Sequence, residues 1–315
     1  MDKTVSDSRT GTRCGDIVRA FRCTALALCP ALALSGCAGG VLQPRGPVGA
    51  ANSIILLDAV GIMSAIVVPT IVALIVFAWW FRASNRRARY RPQFVYSGRL
   101  EIVVWGIPTL VIMFLGGLTW IGAHELDPSK PLRSSASDPP LEVQVVSLDW
   151  KWLFIYPQQR IASVNELVIP VDTQVHFYLT SATVMNQFFV PQLGSMIATM
   201  NGMQTQLHLQ ADQPGNYRGI SAQFSGDGFS GMHFTVQAVS SHDFQHWVAV
   251  TKQNGPVLDR NSYFDLLRES CNVRPFTYRS ADPTLFAAVV KRDLPPGSGP
   301  YAGRAGPGVR EVGCG

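Results

Sequence analysis

The sequence predicts a membrane α + β protein: two transmembrane helices forming a hairpin, then a β-sandwich, then short C-terminal helices. Three observations carry that expectation. Two long runs, Ile54 to Phe81 and Ile102 to Ile121, stay apolar on every face, which buried soluble helices rarely do. A dense arginine cluster separates them. Beyond Pro140 the pattern changes to apolar/polar alternation with a period of two, the mark of half-buried strands.

Each apolar run is long enough to cross about 30 Å of hydrocarbon. The first contains Asp58 near its start and Pro69 in its middle, and it closes on Trp79, Trp80 and Phe81. That aromatic belt is followed by Arg82, Arg86, Arg87, Arg89 and Arg91. The second run has Pro108 near its start and Trp105 and Trp120 near its ends. Arginines concentrate on the cytoplasmic side of spans, so the loop between the helices is placed inside and both flanking segments outside. Prolines are tolerated in spans where neighbouring helices satisfy the freed carbonyl. Pro69 and Pro108 therefore suggest partner helices, with a kinked hairpin as the plainer alternative. Glu101 opens the second span from the cytoplasmic side; it is either a macrodipole cap or a proton-path carboxylate.

The ends of the chain are read as processing and tail segments. Arg19 and Arg22 precede an apolar run, Cys23 to Leu34, of the length of a signal-peptide core. It ends in Leu34-Ser35-Gly36-Cys37, which resembles the lipobox of bacterial lipoproteins. Residues 1–36 are thus expected to be a signal peptide, and Cys37 the lipidation site. Residues 37–126 would be the lipid-anchored N-terminus and hairpin, and 127–140 a polar linker. Removing the leader removes Cys14, Cys23 and Cys29; Cys271 and Cys314 remain, without metal-ligand spacing, and are read as incidental thiols, with one disulfide between them as the alternative. A net charge of +5 could suggest a polyanion partner. The densest basic run abuts a span, however, so no nucleic-acid partner is expected.

Residues 141–240 are expected to form the exported sandwich. Leu141, Val143 and Val145 share a face, as do Val175, Phe177 and Leu179, then Leu207 and Leu209, then Met232, Phe234, Val236 and Ala238. His176, His208 and His233 fall on the opposite, polar faces and are read as solvent-exposed. His242 and His246 are one turn apart but lack the glutamate of H-E-x-x-H zinc sites, so they too are read as surface. Residues 241–292 are expected to be helical, with Asp243 capping the first helix and Asp282 the last, before Pro283. Residues 293–315, rich in Gly and Pro, are read as a disordered tail. No phosphate-cradling glycine loop or nucleophile triad is found.

Several segments, in this order, carry a resemblance: "FAWWFRASN", "EIVVWGIP", "SLDWKWLFIYP", "VMNQFFVPQLG", "MNGMQTQLHL" and "SAQFSGDGFSGMHF". They resemble subunit II of the haem-copper oxidases, and within that family the cytochrome bo-type ubiquinol oxidases. The resemblance runs from about Cys37 to the helix after Asp282. It implies a cupredoxin-like fold for the exported domain and a location in the bacterial inner membrane, with that domain periplasmic.

The resemblance also makes the loop 221–232 informative. Cytochrome c oxidases of this family hold a two-copper centre in C-x-E-x-C-G-x-x-H-x-x-M, helped by an upstream histidine. Here Ser221 and Ser225 occupy the cysteine positions, Gln223 the glutamate's and Phe229 the loop histidine's, while Asn186 stands at the upstream histidine. Only Gly226 and Met232 match. Thiolate and imidazole suit copper; hydroxyl, amide and phenyl do not, so no metal is expected in this subunit. The donor is then ubiquinol rather than cytochrome c. The resemblance implies a partner subunit I carrying haem, copper B and the quinol site, with further membrane subunits. It assigns Glu101 to the mouth of a proton channel. Trp150 matches an electron-relaying tryptophan in copper-bearing relatives and is expected to serve packing here. The competing reading is a membrane-anchored cupredoxin-like lipoprotein that binds or senses copper.

Overall fold

The computed structural model describes residues 40–89, 92–132, 139–295 and 297. Helix α1 spans Pro47–Trp80 and helix α2 Gly98–Glu125. Both are long and apolar enough to cross a membrane, and the rest of the chain covers none of their apolar stretch. At 1.5 Å per residue α1 is about 51 Å long, well beyond about 30 Å of hydrocarbon. Its extra length lies at the start, where Pro47 enters the first turn and Val48, Gly49 and Ser53 are buried. There the Arg45 and Gly49 N–H groups donate to the carbonyls of Gln192 and Leu193 at 2.8 and 3.0 Å. The helix therefore begins earlier than the apolar run alone predicted, because its first turns dock on the domain. Pro69 and Pro108 sit inside the helices.

Strands follow as the alternation predicted, and there are more of them. In chain order they are β1 (Leu141–Leu148), β2 (Lys151–Tyr156), β3 (Ile161–Val164), β4 (Glu166–Pro170), β5 (Val175–Ser181), β6 (Asn186–Phe189) and β7 (Ile197–Thr199). Then come β8 (Thr205–Leu209), β9 (Gly215–Ser221), β10 (His233–Val239), β11 (Val257–Leu258), β12 (Phe276–Tyr278) and β13 (Ser280–Ala281). One sheet has the order β12-β3-β2-β1-β5-β8 and the other β4-β10-β9-β6-β7, with β11-β13 as a small separate pair. Aromatic rings join the two sheets. Trp152 of β2 meets Phe188 of β6 edge-on at 5.6 Å, and Phe188 stacks on Phe234 of β10 at 5.0 Å. Offset and edge-to-face ring pairs add to the area they bury, and all three residues are almost fully enclosed.

Of the three C-terminal helices, the first packs Phe244 and Val248 into the core between the sheets, and the other two cover the outer face of the first sheet. The three are α3 (Ser241–Gln253), α4 (Arg260–Leu266) and α5 (Leu285–Val290). A second apolar cluster joins Val146 and Leu148 to Leu258, Tyr263, Leu285, Phe286 and Val289. That is why β1 is buried on both faces towards its end rather than alternating throughout. The cap of α3 is Ser240, whose hydroxyl accepts from the Asp243 N–H, so Asp243 lies inside the first turn instead of capping it. Thr284 stands at the cap position of α5, and the Asp282 carboxylate, two residues upstream, accepts from the Thr284 N–H at 2.8 Å. Asp282 is thus a turn residue rather than the cap. Leu294 is buried in the second cluster, so the first residues of the expected tail are packed; 298–315 lie outside the described residues.

Two further expectations are corrected. Cys271 is disulfide-bonded rather than an incidental thiol, and every other cysteine, Cys314 included, lies outside the described residues. His208 is buried rather than exposed. It faces β5, where its ring stacks on His176 at 4.0 Å and meets the Gln174 side-chain amide at 2.9 Å. His233, His242 and His246 are exposed as expected, and His176 is half-buried.

Burial, reinforced by the neighbouring His176, lowers the His208 pKa from 6.5 to about 4. Above pH 6.5 the ring is neutral folded and unfolded. Between about 4 and 6.5 the unfolded chain takes up a proton that the folded one refuses, so stability falls as pH drops through that window. We predict that His208→Leu flattens this loss in denaturation curves followed by tryptophan fluorescence between pH 7 and pH 4.5.

Candidate functional site

Loop 222–232 leaves the end of β9 and returns into β10, beside the start of β6. The Ala222 N–H donates to the Gln187 carbonyl at 3.0 Å, and the Ser221 N–H to the Met232 carbonyl at 3.1 Å. Gly226 adopts a φ of 107°, a conformation that favours glycine. A single 3₁₀ turn, Phe229–Gly231, then brings the chain back. This geometry gathers Asn186, Ser221, Ser225 and Met232, all buried, into one cradle. Gln223 and Phe229 border it, half-buried.

Within the cradle the polar groups satisfy one another. The Ser221 hydroxyl donates to the Asn186 side-chain oxygen at 3.0 Å, with the Gln223 carbonyl 3.3 Å away as a second acceptor. The Asn186 amide nitrogen reaches the Val184 carbonyl at 3.3 Å. The Ser225 hydroxyl points at the Met232 sulfur, 3.9 Å distant. Phe229 turns its ring to Phe224, 5.7 Å away at 62°.

As a donor set for the copper pair that the cytochrome c oxidases of the resembled family hold, these residues do not fit. Copper of that kind is held by soft thiolates and imidazole. Here the candidates are two hydroxyls, an amide oxygen already engaged, a phenyl ring without a lone pair and one thioether. No step of a reaction is assigned to this cradle.

Trp150 closes the cradle from beneath. It sits in the turn between β1 and β2 with φ at 61°, a left-handed conformation that bulky residues rarely adopt. The ring is 2% exposed, and its Nε1–H donates to the Ser225 carbonyl at 3.1 Å. Gly228 lies flat on this ring; a Cβ there would stand 2.3 Å from Trp150 Cδ2. The strained turn is thus held by burial and by one hydrogen bond to the loop.

Beside Trp150 lies a group that sequence pattern did not single out. Lys151 is 1% exposed and donates through Nζ to the Arg268 carbonyl at 2.7 Å and the Ser270 hydroxyl at 2.6 Å. Burial lowers its pKa to about 8, against the opposing pull of Asp149 and Glu269. It ties the cradle's floor to the segment after α4. A lysine in "DWKW" carries no pattern that distinguishes this from a surface position.

The remaining site residues lie far away in the chain. Glu101 is exposed in the first turn of α2. Cys37 lies outside the described residues.

A β-sandwich with such a loop, carried on a two-helix membrane hairpin, defines a cupredoxin-like protein of the oxidase subunit II class. The family model described as cytochrome C oxidase subunit II, periplasmic domain, matches residues 143–239. Full-length relatives narrow the class. Over 265 residues the chain is 46% identical to ubiquinol oxidase subunit 2 of Acetobacter aceti, covering 84% of this chain and 86% of the relative. It is 47% identical over 267 residues to cytochrome bo(3) ubiquinol oxidase subunit 2 of Pseudomonas aeruginosa, covering 85% and 80%. Against quinol oxidase subunit 2 of Bacillus cereus it is 35% identical over 239 residues, covering 75% and 82%. The chain belongs to the subunit 2 family of ubiquinol and quinol oxidases.

Replacing Gly228 by alanine would drive a methyl group into the Trp150 ring. We predict a destabilisation of about 1–3 kcal/mol, the usual cost of overpacking, read as a lowered denaturation midpoint. Asn186→Ala would leave the buried Ser221 hydroxyl without its main acceptor, at a cost of about 1–3 kcal/mol.

Proposed function

We propose that this chain is a subunit without a redox centre of its own in a membrane-bound terminal oxidase that takes electrons from ubiquinol. The observation that carries this reading is the cradle: its hydroxyl and amide groups pair with each other, and none of its side chains is a thiolate or imidazole. In this reading Asn186, Ser221, Gln223, Ser225, Phe229 and Met232 occupy the positions of a lost copper site. Without that relay the exported domain offers a soluble cytochrome c no acceptor. The electrons then come from a donor dissolved in the bilayer, and two quinols reduce one oxygen to two waters.

Haem, copper B and the quinol site belong, on this reading, to a partner subunit I. The exported sandwich sits on the periplasmic side of the bacterial inner membrane, anchored by the hairpin and by acyl chains on Cys37 after removal of residues 1–36. Beside the cradle, Phe224 is 70% and Met185 42% exposed. Such apolar exposure suits a docking surface, and we assign it to the outer face of the partner. The loop therefore keeps its frame because it still packs Trp150 and still meets a neighbour. Glu101, at the cytoplasmic end of α2, is assigned to the mouth of a proton channel leading into the partner.

Oxygen consumption by the purified complex tests both parts. Ubiquinol should support rapid turnover while ferrocytochrome c supports none; rapid oxidation of ferrocytochrome c would refute the reading. Glu101→Ala should slow turnover with ubiquinol on the order of tenfold, a barrier rise of about 1.4 kcal/mol. Unchanged turnover would reduce that residue to a helix cap. Trp150→Phe should lower stability by about 1 kcal/mol, the worth of one hydrogen bond, and leave turnover intact.

A further inference from the structure

Asp58 lies one turn inside the outer end of the first apolar run, and its side chain is exposed along α1. It lines a groove of about 720 Å³ between the two helices, shared with Leu57, Gly61, Met113, Gly117 and Ile121. Apart from Asp58, the groove walls are apolar or glycine. Nothing stands within 4 Å of where a Cβ would be at Gly61 or Gly117, so the floor is open to close approach.

The helix repeat adds a second acceptor on the same stripe. With 3.6 residues per turn, Ala65 and Pro69 fall within about 20° of Asp58 around the axis. Pro69 has no N–H, so the Ala65 carbonyl loses its helical donor. Asp58 and the Ala65 carbonyl thus form a row of two acceptors along α1, about 10 Å apart, with Asp58 opening onto the groove between the two helices. A two-carbon carboxylate has little reach back to the headgroups. Ionisable residues in spans almost always face a bundle interior, and groups freed by proline are satisfied by neighbouring helices.

We propose that this stripe of α1, with the Gly117 side of α2, seats a transmembrane helix of the oxidase's haem-bearing subunit. That helix places a hydrogen-bond donor, a lysine, arginine or hydroxyl side chain, against Asp58. Charge complementarity sets the partner's chemistry: an exposed carboxylate and a carbonyl that proline deprives of its i+4 donor call for a donor-bearing helix, whereas acyl chains supply none. The glycines set the fit, since a helix can lie against Gly61 and Gly117 at short interaxial distance. The inference rests on the reading of the chain as an oxidase subunit and adds which face and which residue make the contact.

A photoreactive amino acid placed at Ile62, in the groove, tests it in the assembled complex, with Met63 on another face as control. Irradiation should cross-link position 62, and not 63, to a span of the haem-bearing subunit next to a Lys, Arg, Ser or Thr. Adducts of position 62 with lipid or quinone alone would overturn the proposal. In parallel, Asp58→Leu should lower the haem retained per chain after detergent extraction at least fivefold, while Asp58→Asn, which still accepts a hydrogen bond, should retain most of it. Equal retention in Asp58→Leu and wild type would also overturn it. Should the wild-type chain co-purify with no haem protein at all, it is the function that fails, a result distinct from either of these.

Discussion

A hydrogen bond from Ser221 to the side-chain oxygen of Asn186 is the interaction on which the exported domain's character depends. Buried polar groups must be paired, and there are two ways to pair those at this spot in a subunit II sandwich. Ligands can converge on metal, or they can converge on each other. Here they converge on each other: Ser221 and Asn186 hydrogen-bond, Ser225 turns to the Met232 thioether, and Phe229 packs its ring against Phe224. Returning any one of these positions to a ligand would leave the others still committed to their neighbours.

The cradle's loop has a structural task besides pairing its own polar groups. Trp150 holds a left-handed backbone conformation at the hairpin turn, and it needs the loop above it for its Nε1–H partner and for cover by Gly228. Lys151, next in the chain, reaches under the turn to the segment after α4. Loop, turn and C-terminal layer are thus one packed unit. The core behind the loop, Trp152, Phe188 and Phe234, is stacked to within 6 Å from ring to ring.

Much of this was legible in the sequence. The two spans, the start of the sandwich at Leu141 and the inward faces of β5 and β10 follow from apolar periodicity alone, because those elements each bury one face or present apolar side chains all round. The resemblance pointed to the cradle positions, and the fold brings Asn186, Ser221, Ser225 and Met232 together. What escaped has physical reasons. His208 sits at an alternation position that reads as solvent, but the ring of His176 and the side-chain amide of Gln174, just before β5, cover it. The cap of α3 moved from Asp243 to Ser240 because both can cap, and only packing of Phe244 and Val248 fixes the phase of the helix. Short strands such as β6 and β7, four and three residues long, are too brief for a period to show. The disulfide at Cys271 is not encoded by any local pattern around it.

The most direct measurement is electron paramagnetic resonance of the complex isolated from copper-supplemented cells. A cradle of hydroxyl, amide and phenyl groups should give no signal of an electron shared between two coppers, at any copper supply. Finding that mixed-valence signal, in an amount stoichiometric with this chain, would contradict the account.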